Sequence, residues 1–127
     1  MIVVDASAAL LALLRDGTAR RVLGEQQLHC PHLIDPEVAG ALRRRTSAGQ
    51  LDPDGGRDLL AAWQQLAVLR YPAVGLLARV WELRENVTAY DACYVALAES
   101  LGCGLLTADA RLARAPGLRC SVTVVPD

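Results

Sequence analysis

There is no lysine in this chain; every basic residue is an arginine. That absence removes whole classes of chemistry. P-loop nucleotidases, Schiff-base enzymes, aspartyl-phosphate enzymes and receiver domains each need a lysine ammonium at the reacting centre. Cysteine is sparse, and Cys30, Cys93, Cys103 and Cys120 form no C-x-x-C pair. Each is flanked by apolar or small residues, so the expectation is small buried thiols, not a metal framework. No apolar run reaches bilayer-spanning length, and Asp5 interrupts the apolar start, so neither a membrane segment nor a signal peptide is expected. A cytoplasmic location with reduced thiols follows. No repeat, linker or low-complexity stretch divides the chain. A large net charge is also missing: the formal value is −1, so the bulk field does not attract nucleic acid. Affinity for it must come from a local basic patch or a metal site.

What remains is an ordered composition, 53% hydrophobic and 21% charged over 127 residues, which fits one domain, 1–127, with a real core. Met1 to Val4 is a β-branched run that predicts a buried parallel strand. A turn at Asp5-Ala6-Ser7 leads to a helix from Ala8 to Leu14, with Ser7 or Asp5 as cap. Thr18 to Leu23 predicts a second short helix, and Gln27 to Cys30 a weak strand ended by Pro31. Asp35-Pro36 predicts an N-cap acid followed by proline at the first helical position, with the helix running to about Ala48. Asp52-Pro53 repeats that signal for a helix to about Ala67. Val68 to Tyr71 predicts a strand, and Gly75 to Asn86 a helix with the stripe Leu76, Leu77, Val80 and Leu83. Thr88 caps a helix from Ala89 to Leu101, ended by Gly102. Cys103 to Thr107 and Cys120 to Val125 predict strands, with a helical turn from Ala110 to Arg114 between them. Strands alternating with helices imply an α/β fold, a parallel sheet covered on both faces.

Four acids sit in apolar surroundings: Asp5, Glu37, Asp91 and Asp109. A carboxylate beside core-forming segments is costly unless it is paired, hydrogen-bonded or metal-bound. Cations are nearly absent from these segments. Gathering the acids around a hard divalent cation is the simplest way to keep them, and such a centre points to phosphodiester chemistry. Asp5 and Asp109 follow predicted strands, while Glu37 and Asp91 open helices. All four are therefore expected beyond the carboxyl edge of the sheet, where sites of open α/β sheets form.

The segments Ile2-Val3-Val4-Asp5-Ala6-Ser7-Ala8, Pro36-Glu37-Val38, Thr88-Ala89-Tyr90-Asp91-Ala92-Cys93-Tyr94-Val95-Ala96-Leu97-Ala98-Glu99 and Leu106-Thr107-Ala108-Asp109-Ala110-Arg111-Leu112 carry those acids in order. Together they resemble the PIN domain, and in length and wording its VapC toxin branch. The resemblance implies a three-layer α/β/α sandwich and a metal-dependent endoribonuclease. It also implies a homodimer neutralised by a cognate VapB-type antitoxin. It implies that Asp5, Glu37, Asp91 and Asp109 form the acidic site, with Thr107 and Ser7 as polar support. Asp5, Asp91 and Asp109 would hold Mg²⁺ or Mn²⁺, and Asp91 or Glu37 would orient or deprotonate the attacking water. Some relatives carry a further acid after the fourth; Leu112 and Ala113 occupy that region here.

Other candidates have plainer readings. Asp35 is assigned to capping. His29 and His32 flank Cys30-Pro31 with no matching ligand nearby, which argues against zinc. Arg43, Arg44 and Arg45 span most of a helical turn, so they form a solvated face or contact RNA phosphate or an antitoxin carboxylate. Trp63, Tyr71 and Trp81 read as core or interface. An antitoxin groove is expected between the Glu37 helix and the early helix bearing Leu10, Leu11 and Leu14. The side around Leu83, Tyr90 and Tyr94 is the expected dimer face. Two alternatives stay open: a catalytically silent PIN-like binding module, and a DNA or structure-specific nuclease.

Overall fold

The computed structural model describes residues 1–126; Asp127, the last residue of the span 1–127, lies outside the described residues. Five short strands form one sheet: β1 (Ile2–Val4), β2 (Leu28–Pro31), β3 (Val68–Tyr71), β4 (Gly104–Thr107) and β5 (Val122–Val124). Their order is β3-β2-β1-β4-β5, and every neighbouring pair is parallel. Ile2 is in register with Leu28 on one side and Gly104 on the other. The chain steps outward from β1 to β2 to β3, then returns past β1 to β4 and β5. Right-handed crossovers therefore put the helices before β3 on one face and those after it on the other. The result is a three-layer α/β/α sandwich whose order reverses between β1 and β4. Crevices open at such reversals, beyond the carboxyl ends of the strands.

The first helical layer holds α1 (Ala6–Leu14), α2 (Thr18–Glu25), α3 (Ile34–Ser47) and α4 (Pro53–Gln65), which pack on one another. The second holds α5 (Leu77–Glu82), preceded by a 3-10 turn at Val74–Leu76, and α6 (Ala89–Leu101). The short helix α7 (Ala110–Ala113) leads to β5. Helix α6 is buried without interruption from Ala92 to Ala98, across β1, β2 and β4. Alanines at 92, 96 and 98 let its backbone approach the strands. Thr88 accepts the Asp91 N–H at its start, and Gly102 ends it in the left-handed region, φ 66°. Val3, Val4, Leu105 and Leu106 of the two central strands are at most 1% exposed.

Several expectations need correction. The strand at 28–31 is not weak: all four residues are buried, and Pro31 lies inside it, opposite Tyr71. Proline fits there because β2 is by then bonded to β3 alone, so one side needs no donor. The helix expected over 75–86 unwinds after Glu82 into turns, such as Asn86 N–H to Leu83 O at 2.9 Å. There the segment 116–117 docks: Asn86 Nδ2 donates to Pro116 O and Arg79 Nη2 to Gly117 O. Leu83 and Tyr94 are 1% exposed, so they cannot form a dimer face in this fold; Tyr90, at 66%, remains on the surface. Of the four free thiols, Cys30 and Cys93 are buried, but Cys103 and Cys120 are only partly so. No helix among the described residues is long and apolar enough to cross a membrane.

Asp35 is not an N-cap. Helix α3 starts earlier, at Ile34, and its cap position is Leu33. The Asp35 carboxylate instead accepts Arg70 Nε at 2.7 Å, Arg70 Nη2 at 2.9 Å and the Trp63 indole N–H at 2.8 Å. It ties α3 to α4 and β3. His29 is equally structural, with Nδ1 at 2.6 Å from the Tyr71 hydroxyl and Nε2 at 3.1 Å from Gln27 Oε1.

The Arg70 hydrogen bonds hold the Asp35 carboxyl below its usual range, against burial, with the Trp63 bond adding to the effect. A carboxyl with a lowered folded pKa contributes stability above its unfolded value, and that contribution fades as pH falls through the folded value. Asp35→Ala is expected to cost about 1–3 kcal/mol at pH 7, because it strips a buried indole and a guanidinium of their acceptor. Urea unfolding at pH 7, 5 and 3 checks this. The gap between wild type and variant should be full at the first two and shrink at pH 3.

Candidate active site

Asp5 leaves β1 and caps α1, and it is 5% exposed. Its Oδ1 accepts the Ala8 N–H at 3.0 Å and the Ser7 hydroxyl at 2.6 Å; its Oδ2 accepts the Thr107 hydroxyl. Those hydroxyls are aimed by their own acceptor sides. Ser7 Oγ takes the Ala108 N–H at 2.9 Å, and Thr107 Oγ1 takes the Asp109 N–H at 3.0 Å. With backbone donors filling the lone pairs, the hydroxyl protons face Asp5. Two hydroxyls and a backbone amide thus serve the two oxygens of one carboxylate. Burial still wins over these donors and raises the Asp5 pKa.

Glu37 sits in the first turn of α3 and is half-buried. Its Oε1 accepts the Tyr94 hydroxyl at 2.6 Å. Burial raises its pKa, the Tyr94 bond lowers it, and the negative charges of Asp91 and Asp5 push it up again. Asp91, in the first turn of α6, is also half-buried. Its pKa is raised by burial first, then by the charges of Asp5 and Asp109. Asp109 follows β4 and caps α7, with Oδ1 accepting the Arg111 N–H at 2.9 Å. Its pKa is lowered, chiefly by the Arg111 side chain, whose Nε lies 3.3 Å from Oδ1.

The fold therefore brings all four sequence-predicted acids, with Ser7 and Thr107, to the crevice where the strand order reverses. Glu37 feels the charges of Asp91 and Asp5, and Asp91 those of Asp5 and Asp109. As the side chains stand, among the described residues no three His, Cys, Asp or Glu groups converge closely enough to hold one metal ion. Asp109 is turned to Arg111 and Glu37 to Tyr94, so convergence needs side-chain rotation. The donor set is all oxygen and suits a hard cation. The three arginines separate. Arg44 lines a groove of about 510 Å³ with Leu10, Leu33, Glu37, Gly40 and Tyr90, while Arg43 and Arg45 are not among its walls. Leu10 lines the groove as expected, but Leu11 belongs to the core. Sequence reasoning missed Tyr94 and Arg111 as partners of the acids. Both carried a signal: Tyr94 is one helical turn from Asp91, and Arg111 follows Asp109 by two residues.

Comparison with known proteins identifies the family. A sequence model of the PIN domain matches residues 2–118. Ribonuclease VapC9 of Mycobacterium tuberculosis is 56% identical over 126 residues, covering 99% of each chain. Ribonuclease VapC1 of the same organism is 44% identical, with 97% of this chain and 96% of the relative covered. The crystal structure of PAE2754 from Pyrobaculum aerophilum superposes with a TM-score of 0.73 at 26% identity, covering 95% of this chain and 81% of that one. The chain belongs to the PIN-domain family and, within it, to the VapC ribonucleases.

Tyr94→Phe removes one hydroxyl and leaves Glu37 half-buried without its donor. Because that bond lowers the Glu37 pKa, its loss should move the Glu37 titration to higher pH. Carboxyl ¹³C NMR reads the shift directly. A stability loss of about 1–3 kcal/mol is expected at pH 7, where the carboxylate must stay charged beside Asp91, and a smaller one at pH 4.

Proposed function

We propose that this chain is a metal-dependent endoribonuclease, the toxin of a toxin–antitoxin pair, hydrolysing RNA phosphodiester bonds with Mg²⁺ or Mn²⁺. The observation that carries the reading is Asp5: a carboxylate 5% exposed, supplied with hydroxyl and amide donors, in a chain 56% identical to a named ribonuclease. Asp5, Asp91 and Asp109 are the proposed metal ligands, and Glu37 completes the acidic set. Bound there, the cation would lower the pKa of a coordinated water and neutralise charge on the phosphate oxygens.

The protein's own groups have distinct tasks. Ser7 and Thr107 fix the Asp5 carboxylate and keep it from rotating. Tyr94 holds one oxygen of Glu37, leaving the other to orient water or accept its proton. Asp91 is the second candidate for that role. Arg44, beside Glu37 in the groove, offers a guanidinium to RNA phosphate or to an acidic partner. The apolar walls of that groove, Leu10, Leu33 and Pro36, suit an antitoxin segment of VapB type that directs a cation at the acids. The exposed stripe Val74, Leu77 and Trp81 supports self-association into a homodimer. An RNA substrate and an antitoxin partner both put the site of action in the cytoplasm.

Purified protein, total RNA and mapped cleavage ends test the reading. Cleavage is expected with millimolar Mg²⁺ or Mn²⁺ and not in chelator. Asp5→Ala, Asp91→Ala and Asp109→Ala should each abolish it while the protein stays folded, and Asp35→Ala should leave the cleavage pattern unchanged. Full activity in chelator, or an essential Asp35 with a dispensable Asp91, contradicts it. Mn²⁺ should also raise the melting temperature, as any ligand of the folded state alone does, and Asp91→Asn should blunt that rise.

A further inference from the structure

We propose that Arg111 is an RNA-phosphate-binding residue held in reserve on Asp109 and released when a divalent cation engages that carboxylate; the inference rests on the ribonuclease reading above. Among the described residues, Arg111 is the one cation that forms an ion pair with any of the four acids. That pair differs from the pairs that hold the fold together. Arg70 meets Asp35 at 2.7 Å, and Arg79 meets Glu99 at 2.7 Å with both side chains at most 17% exposed. Arg111 lies 3.3 Å from Asp109, and its side chain is 85% exposed. Its second contact, Nη2 to Oδ2, is 3.4 Å. These lengths exceed the roughly 2.7–2.9 Å of strong charge-assisted bonds. An exposed, loose pair of this kind contributes little to stability.

The local structure does not need the guanidinium. Helix α7 is capped by the Asp109 carboxylate on the Arg111 backbone N–H, at 2.9 Å, and that bond survives any change of the side chain. What the side chain does is electrostatic. It offsets the charge of Asp109 and reaches Asp91 with its field. A cation bound by those two acids would take over that task and repel the guanidinium. Arg111 would then stand free, solvated and anchored within two residues of a metal ligand. Arg114, one helical turn on, adds a further positive charge within the field of Asp109. RNA that presents a phosphate to the carboxylates brings neighbouring phosphates past this edge. Arginine's planar fork suits a phosphate as well as it suits a carboxylate.

The proposal makes metal and substrate respond in opposite directions to one substitution. Arg111→Gln removes a competitor for Asp109, so Mn²⁺ should bind about two- to fivefold more tightly by calorimetry in the absence of RNA. The same variant, at saturating metal, should show KM for RNA raised roughly tenfold with kcat within about threefold. Arg111→Lys keeps the charge without the fork and should restore part of both effects. The metal-free melting temperature should match wild type in both variants. Unchanged or weaker Mn²⁺ binding in Arg111→Gln, an unchanged KM, or a lowered melting temperature each overturns the proposal while wild-type cleavage stands. A wild-type protein that neither binds Mn²⁺ nor cleaves RNA instead removes the ribonuclease reading, and this inference with it.

Discussion

Asp5 carries a negative charge to the end of the central strand, where 5% of the residue meets solvent and, among the described residues, no cation is paired with it. Much of the local architecture answers that one cost. Its own helix supplies the Ala8 N–H, and Ser7 and Thr107 supply hydroxyls from α1 and β4. Those hydroxyls are in turn oriented by the Ala108 and Asp109 N–H groups. One carboxylate thus bonds to groups of α1 and β4, and through Thr107 is linked to the start of α7. The donors do not compensate fully, since burial still raises the Asp5 pKa. Bringing Glu37 and Asp91 into the same field adds repulsion that raises both of theirs. Stability given up in this way at one edge of a well-packed sheet is expected at a functional site.

The missing lysine has a structural counterpart. With arginine as the only strong cation, each structural pair uses the planar fork and several acceptors at once. Arg79 bridges Glu99 through Nε and Nη2 and donates to Gly117 O, joining α5, α6 and the segment before β5. Arg70 holds both oxygens of Asp35. Arg20 closes the end of α1 by donating to the Ala12 and Leu13 carbonyls at 2.8 and 3.2 Å. A lysine ammonium also has several donors but lacks the planar fork that meets both oxygens of one carboxylate side by side.

Strand positions, the parallel α/β architecture and the placing of Asp5 and Asp109 just past strand ends were legible in the sequence because local signals and the global fold agree. Helix α6 illustrates this: Thr88, the apolar run and Gly102 specify its ends by themselves. The helix expected over 75–86 illustrates the opposite. Its stripe is periodic, but the turns after Glu82 meet the segment around Pro116 and Gly117, a contact no local pattern encodes. Asp35 carried a strong capping signature next to Pro36, and a partner 35 residues away in sequence overrode it. Tyr94 is expected with Leu83 and Tyr90 on a dimer face, while in the fold it is buried and meets Glu37 of α3, a contact between elements that no local pattern encodes. The loose pair between Arg111 and Asp109 was hidden differently: neither residue is unusual until the distances of the other arginine pairs are set beside it.

The central claim is that four carboxylates from separate elements respond to one cation. Paramagnetic broadening tests it most directly. Side-chain carboxyl resonances of Asp and Glu are followed by ¹³C NMR as substoichiometric Mn²⁺ is added. The account predicts that Asp5, Asp91, Asp109 and Glu37 broaden together at the lowest additions while Asp35 and Glu99, held by arginines elsewhere, stay sharp. Uniform broadening over the surface carboxylates, or selective loss of Asp35 or Glu99 with Asp5 and Asp91 unaffected, would contradict it.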